Sequence, residues 1–252
     1  MHNTQVIILA AGYATRLYPL TLSSPKPLLP IANKPLIGHV LHNLSGVDGI
    51  SNVHIVSNEK FFPRFEEWLD DYQASQPSLP ITLFNDGSID ESDKLGAIGD
   101  LKLIIEQGEI DDNIVVVAGD NLFNHSLGGF LRHGREKDAP VLGIYDVGSL
   151  EEAKRFGNIS INEHGQITAF EEKPKQPKSS LIGTALYYYP KNILPLIAQY
   201  ITEGNNPDQP GRLVEWLYSK VPFYTWKIRG IWYDIGTKET LEEVDRALTR
   251  RK

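Results

Sequence analysis

Three cations and two carboxylates stand out by the company they keep: Arg16, Lys26 and Lys173, and Asp120 and Asp234. Arg16 lies in Val6-Ile-Ile-Leu-Ala-Ala-Gly-Tyr-Ala-Thr-Arg-Leu17. A continuous apolar run followed at once by small residues is the pattern of a buried strand feeding a tight loop. Gly12 allows the backbone to turn with positive φ or to come close to a ligand. Consecutive loop amides beside Arg16 then form a cradle for an anion such as a triphosphate. Lys26 stands between Pro25 and Pro27. Pro27 biases Lys26 toward extended backbone and Pro25 fixes its own φ, so the ammonium is carried on a stiff segment. The combination points to phosphate chemistry, although the loop has neither P-loop nor dinucleotide-fold spacing.

Asp120 follows the apolar run 114–118, which places it at the carboxyl edge of a buried strand. Open α/β sheets bind their ligands at that edge. Asp234 comes after Trp232-Tyr233 and before a Gly-Thr turn, and Lys173 stands in Glu171-Glu-Lys-Pro174, again stiffened by a following proline. Taken singly, these are a turn, a helix cap and a solvated strand end. Taken in order with Lys26-Pro-Leu-Leu-Pro30, Ala118-Gly-Asp-Asn121, Phe156-Gly157 and Trp232-Tyr-Asp-Ile-Gly-Thr237, they cover nearly the whole chain. The set resembles the signature of the sugar-nucleotide pyrophosphorylases, nucleotidyltransferases that join a nucleoside triphosphate to a sugar 1-phosphate. Within that family it is most similar to the short glucose-1-phosphate thymidylyltransferase type. One position departs: Ala14 stands where the family loop usually has a second glycine.

The resemblance implies a role for each matched residue. Leu9, Ala11, Gly12, Tyr13, Ala14, Thr15, Arg16 and Lys26 fall on the nucleotide-binding stretch, with Arg16, Lys26 and Lys173 as the catalytic cations. Asp120 and Asp234 match the aspartates that share a magnesium ion (Mg2+), and an oxygen-only donor set suits that ion. Gly157, Glu172, Lys173 and Thr184 fall on the sugar-phosphate side, where Ala185 replaces a family glycine. The base pocket corresponds to Asn85-Asp-Gly87, an acidic loop and Lys94-Leu-Gly-Ala-Ile-Gly99. Asn85 is expected to read a pyrimidine edge through its amide, and Gly96 to give a backbone contact, favouring dTTP or UTP with glucose 1-phosphate. The reaction is an in-line attack of a phosphate oxygen on the α-phosphorus, with pyrophosphate leaving. The nucleophile is already an anion, so charge stabilisation rather than a general base is required.

Three rivals remain at this point. One keeps the fold but changes the acceptor, as in cytidylyl transfer to phosphocholine. A glycosyltransferase would carry Asp-x-Asp, which Asp120-Asn-Leu122 does not. A catalytically silent regulatory subunit is disfavoured because Arg16, Lys26, Asp120, Lys173 and Asp234 are all intact.

The elements that must position these residues follow from periodicity. Apolar runs at 6–10, 53–56, 81–84, 114–118 and 141–145 alternate with helical patterns at 36–44, 61–72, 98–106 and 127–136. This order predicts an α/β fold with a mainly parallel central sheet and helices on both faces. Pro35 is expected at a first helical position, and Ser149 with Glu152 reads as a capping box opening a helix at 150–155. Beyond residue 150, a hairpin (158–162 and 166–171) precedes strands at 181–188, 223–228 and 231–233. Helices are expected at 192–202, 213–219 and 238–250, the last capped by Thr237. We expect one nucleotidyltransferase domain over 1–252, with a nucleotide-binding half (about 1–150) and a sugar-phosphate-binding half (about 151–252). The latter's strands join or flank the sheet. The stretch 86–94 reads as a mobile, acidic surface loop. No hexapeptide repeat follows Asp234, so no β-helix tail is expected.

The 252 residues are 41% hydrophobic with no cysteine and a formal charge of −7. Disulfides and thiolate metal sites are excluded, and the charge argues against a nucleic-acid scaffold. No stretch suits a bilayer span or a signal-peptide core, so a cytoplasmic location with no membrane partner is expected; a homo-oligomer stays open. The seven histidines have no metal spacing, and Tyr187-Tyr-Tyr189 reads as packing.

Overall fold

The computed structural model describes residues 3–75 and 79–249. Strand β1 (Thr4–Leu9) runs into the loop at 10–14. A small ribbon, β2 (Pro30–Ile31) and β3 (Lys34–Pro35), then leads to helix α1 (Leu36–Leu44). The alternation continues through β4 (Ile50–Ser57), α2 (Phe62–Ser75), β5 (Ile81–Asn85), α3 (Ala97–Gln107) and β6 (Asn113–Ala118). Next come β7 (Asn121–Phe123), α4 (Gly128–Lys137), β8 (Val141–Asp146) and the short α5 (Leu150–Ala153). The chain goes on with β9 (Gly157–Ile161), β10 (Ile167–Glu172) and β11 (Leu181–Tyr189). Helices α6 (Leu194–Thr202) and α7 (Pro210–Leu217), strands β12 (Tyr224–Lys227) and β13 (Trp232–Asp234), and helix α8 (Lys238–Thr249) follow.

Among the described residues, one sheet of nine strands organises the molecule. Strands β5, β4, β1 and β6 are parallel neighbours in that order. Strand β11 joins them antiparallel to β6 and also pairs with β8 and β9, so the second half of the chain extends the same sheet. Side chains alternate between faces along a strand. Val6, Ile8, Val115 and Val117 enter one core with α1 residues Ile37, Val40 and Leu41. Ile7, Ile114 and Val116 enter another with Ile98 and Leu101 of α3 and Leu213 and Val214 of α7. Because both faces are covered, these strands read as unbroken apolar runs. Tyr187 and Tyr189 stack at 6.0 Å within the second core, as packing requires.

A separate two-stranded ribbon matters most for the site. Strand β13 pairs antiparallel with β7, setting Asp234 opposite Asn121. Ile235 N donates to Asp120 O (3.1 Å), and the Trp232 indole donates to Asn121 Oδ1 (2.7 Å). Residues far apart in the chain are thereby clamped side by side.

The structure amends several local readings. Pro35 precedes the helix instead of opening it: its ψ of 143° is extended, and it pairs with Pro30 across the β2–β3 ribbon. The Ser149 cap forms, with Glu152 N donating to Ser149 Oγ at 3.4 Å, but its helix ends at Ala153. The helix expected at 213–219 starts at Pro210, whose ring suits a first turn. Thr237 caps the last helix through Thr240 N (3.2 Å); the expected end at 250 lies outside the described residues. The stretch 86–94 lies largely at the surface, as expected of an acidic loop. It folds as successive Asp-centred turns, with Ile89 N (3.1 Å) and Asp90 N (3.0 Å) donating to Asp93 and Ser92 N (2.7 Å) to Asp90. Among the described residues no helix is long and apolar enough to cross a membrane.

Candidate active site

The carboxyl ends of β1 and β6, together with β10, β11 and β13, surround a cavity of about 680 Å³. Every residue singled out from the sequence lines it except Asn85.

On one wall lies the loop after β1. Gly12 does not adopt positive φ; the left-handed residue is Ala14, at φ 49° and ψ 44°. That conformation is held by Thr21 Oγ1 donating to Ala14 O (2.9 Å) and by Leu17 N donating to the same oxygen (2.9 Å). A Cβ added to Gly12 would meet nothing within 4 Å, so protein packing does not demand glycine there. The open space is on the cavity, which suits close approach of a ligand to backbone. Arg16 follows in a short 3-10 turn and is exposed.

Lys26 departs from the extended backbone expected of it. It opens a 3-10 turn (Lys26–Leu28), closed by Leu28 N to Pro25 O and Leu29 N to Lys26 O, each 3.0 Å. The ammonium is thereby turned into an ion pair with Asp120 Oδ2. Burial opposes ionisation of Asp120, but the Lys26 charge and the Asn121 amide outweigh it and hold the carboxyl below its usual range. Asp234 moves the other way. Burial and the Asp120 charge push it up to about 6, against the pull of Lys26, Arg155 and Arg16. Burial is the first cause of the rise and the neighbouring Asp120 charge the second. Arg155, a cavity residue the motifs did not single out, supplies part of the opposing pull.

The facing wall comes from the second half of the chain. Glu172 is nearly buried, at 10% side-chain exposure, and sits 3.9 Å from the Lys173 ammonium. Burial raises its carboxyl, with Lys173 and Arg212 pulling it back. Lys173 has φ 49°, a left-handed turn that sequence reading missed, and its N–H donates to Phe156 O at 3.2 Å. Gly157 and Gly211 are needed for space. A Cβ on the first would collide with the Phe170 ring and one on the second with Glu172 Oε2. Thr184 is buried and donates to Gly143 O (2.9 Å), which leaves its oxygen as an acceptor only.

At the remaining end, Asn85 is not on the cavity wall. Its amide nitrogen donates to Glu59 Oε2 (2.5 Å), and its oxygen accepts from Gly87 N (2.9 Å). Asp86, Asp100 and Lys94 line the wall instead. Lys94 bridges Glu91 (2.6 Å) and Asp208 (2.9 Å), and Ile98 N donates to Pro207 O (2.8 Å), tying this loop to the second half of the chain. Asp100 reads in sequence as an ordinary helix-start acid, and only its burial distinguishes it.

A mixed α/β sheet that brings cations, paired carboxylates and a glycine-containing loop to one edge has the features of a phosphate-transfer site. By sequence, the chain belongs to the nucleotidyl transferase family, whose model matches residues 5–251. It is 30% identical over 248 residues to glucose-1-phosphate thymidylyltransferase of Neisseria meningitidis, covering 94% of this chain and 80% of that protein. It is also 30% identical over 185 residues to UTP–glucose-1-phosphate uridylyltransferase AglF of Haloferax volcanii, covering 73% and 71%. A Bacillus anthracis structure assigned as a glucose-1-phosphate thymidylyltransferase, in complex with sucrose, superposes with a TM-score of 0.83. It is 26% identical, over 99% of this chain and 96% of that one. The chain spans about half of one curated relative, 53%, and 60% of another.

Proposed function

We propose that the chain transfers a nucleotidyl group from a pyrimidine nucleoside triphosphate, dTTP or UTP, to a sugar 1-phosphate, with glucose 1-phosphate favoured. A sugar-phosphate oxygen attacks the α-phosphorus, a new P–O bond forms, and the bond to the β-phosphate breaks to release pyrophosphate. The observation that carries this reading is one cavity with the loop at 10–16, the Asp120–Asp234 pair and Glu172–Lys173 on its walls. Backbone amides and Arg16 hold the triphosphate, while Lys173 neutralises the sugar phosphate and Glu172 accepts from sugar hydroxyls. Bringing two anions together is the main barrier, and fixed cations in a partly dry site lower it.

Asp120 and Asp234 fit a divalent metal. They are oxygen donors close enough for the Asp120 charge to act on the Asp234 carboxyl. Among the described residues no cluster of three such side chains exists. Magnesium, which keeps water and phosphate ligands beside one or two carboxylates, tolerates so sparse a set. When bound there it would neutralise charge on the phosphate oxygens. Lys26 already neutralises Asp120 and keeps that carboxylate ionised.

Asp120→Asn and Asp234→Asn should each cut pyrophosphate release by about two orders of magnitude or more, the scale for one preorganised electrostatic element. Wild-type turnover in either variant, or full activity in excess chelator, would contradict the shared-metal reading.

A further inference from the structure

The stretch 207–211 belongs to the second half of the chain, yet it is fastened to the first. The Lys94 ammonium pairs with Asp208 at 2.9 Å, while Ile98 N donates to Pro207 O (2.8 Å) and Ala97 N to Asp208 O (3.4 Å). Gly96 packs so closely here that an added Cβ would lie 2.7 Å from Pro207 O. Within its own half, Asp208 N donates to Asn206 Oδ1 (2.9 Å), and the Tyr200 hydroxyl donates to Asn206 O (2.7 Å). At the other end Pro210 opens α7, and Gly211 abuts Glu172, where an added Cβ would fall 1.8 Å from Oε2. Gln209 stands between these two anchors, so its backbone is fixed.

Its side chain is uncommitted. Gln209 holds the position before α7, from which a polar side chain often caps the first turn, but it makes no cap. It is half-buried and lines the cavity. Among the described residues its amide has no hydrogen-bond partner, and neither amide atom is sealed from solvent. Glu172, set against Gly211, is its counterpart on the same cavity. Among the described residues that carboxylate accepts no hydrogen bond, its nearest cation is the Lys173 ammonium at 3.9 Å, and neither oxygen is sealed. An amide offers N–H donors and a carboxylate only acceptors. A hydroxyl, which both donates and accepts, satisfies one of each at once.

We propose that Gln209 is a specificity-determining residue that, together with Glu172, reads one ring hydroxyl of the sugar 1-phosphate. The hydroxyl donates to the Glu172 carboxylate and accepts from the Gln209 amide. This inference rests on the nucleotidyl-transfer reading and adds a selective residue to its sugar side. A sugar that lacks the hydroxyl, or carries it on the other face of the ring, leaves both groups without a partner. A site built to hydrogen-bond a hydroxyl rejects such an analogue more strongly than an apolar pocket could. The fastening of 207–211 to the first half keeps the amide in place before the sugar arrives, so little order is lost on binding.

Pyrophosphate-release kinetics with UTP or dTTP and Mg2+ test this on the wild type, Gln209→Ala and Gln209→Glu. The acceptors are the favoured hexose 1-phosphate, its epimers and its monodeoxy analogues. The wild type should disfavour the one deoxy analogue that lacks the paired hydroxyl by roughly ten-fold or more in kcat/KM. Gln209→Ala should lower kcat/KM for the parent sugar by about ten-fold and leave that deoxy analogue nearly unchanged. Gln209→Glu keeps the side-chain size but loses the N–H, and should behave like Gln209→Ala. Triphosphate affinity, titrated calorimetrically, should match the wild type in both variants. The proposal is overturned if Gln209→Ala lowers kcat/KM equally for every sugar phosphate, if it leaves the parent sugar unaffected, or if triphosphate affinity falls in step. Wild-type sugar selectivity in Gln209→Glu overturns it as well, and that variant decides should Gln209→Ala fail to fold. Calorimetry with the same sugar phosphates separates the two readings. Selective binding that depends on Gln209 without transfer contradicts only the activity, and transfer with a sugar preference indifferent to Gln209 contradicts only this inference.

Discussion

Asp100→Asn should change how stability depends on pH, and the sign follows from the folded site. Asp100 titrates near 3.8 when unfolded and is pushed up to about 8 by burial and by Asp86. Between those values the folded chain holds a proton that the unfolded chain has released. Stability therefore falls as pH rises through this window, and the loss is complete above the folded value. Each unit is worth about 1.4 kcal/mol, so a gap of roughly four units sets a ceiling near 6 kcal/mol. The amide introduced by Asp100→Asn cannot ionise and can still donate to Asp86, so the variant escapes the loss. The charged groups near the pair are Asp86 itself and Asp93, both acidic, while the Lys94 ammonium is engaged by Glu91 and Asp208. Urea unfolding of both proteins between pH 5 and 9 is the assay. The advantage of Asp100→Asn should grow steadily with pH and level off above about 8. Parallel stability curves, or a variant destabilised equally at every pH, would refute the protonated pair.

Ala14→Gly should raise stability by about 1 kcal/mol or leave it unchanged, because glycine relieves the left-handed backbone at φ 49° but loosens the unfolded chain; a drop in thermal midpoint would count against it. Lys26→Ala should weaken triphosphate binding, and Lys173→Ala should weaken sugar-phosphate binding, each titrated separately. Loss of nucleotide binding in Lys173→Ala with sugar-phosphate affinity intact would reverse the assignment of the two walls.

The parallel core was legible because the central residues of β1 and β6 are buried on both faces and form unbroken apolar runs after a polar start. The helices between them showed the corresponding periodicity, and α1 occupies the expected 36–44. The loop residues were legible for a similar reason: a strand that ends in small residues has few places to go. Tertiary contacts decided the rest. Strand β7 has three residues, too few for a period, yet its pairing with β13 sets Asp234 beside Asp120. Lys26 lies in a turn despite its prolines, because two backbone hydrogen bonds and the Asp120 charge outweigh a local preference. Asn85 reads as a base reader in sequence; in the structure its amide nitrogen donates to Glu59, 26 residues away, a contact no local pattern announces. Asp100 carried no signal at all, since an acid in a first helical turn is common and only the fold buries it against another acid.

The most direct measurement is pyrophosphate release from a matrix of nucleoside triphosphates against sugar 1-phosphates and phosphocholine, with Mg2+ present. Rapid release with dTTP or UTP and glucose 1-phosphate, matched by formation of the nucleoside diphosphate sugar, is the predicted result. Release confined to another phosphate monoester, or none with any pair, would contradict the proposed transfer.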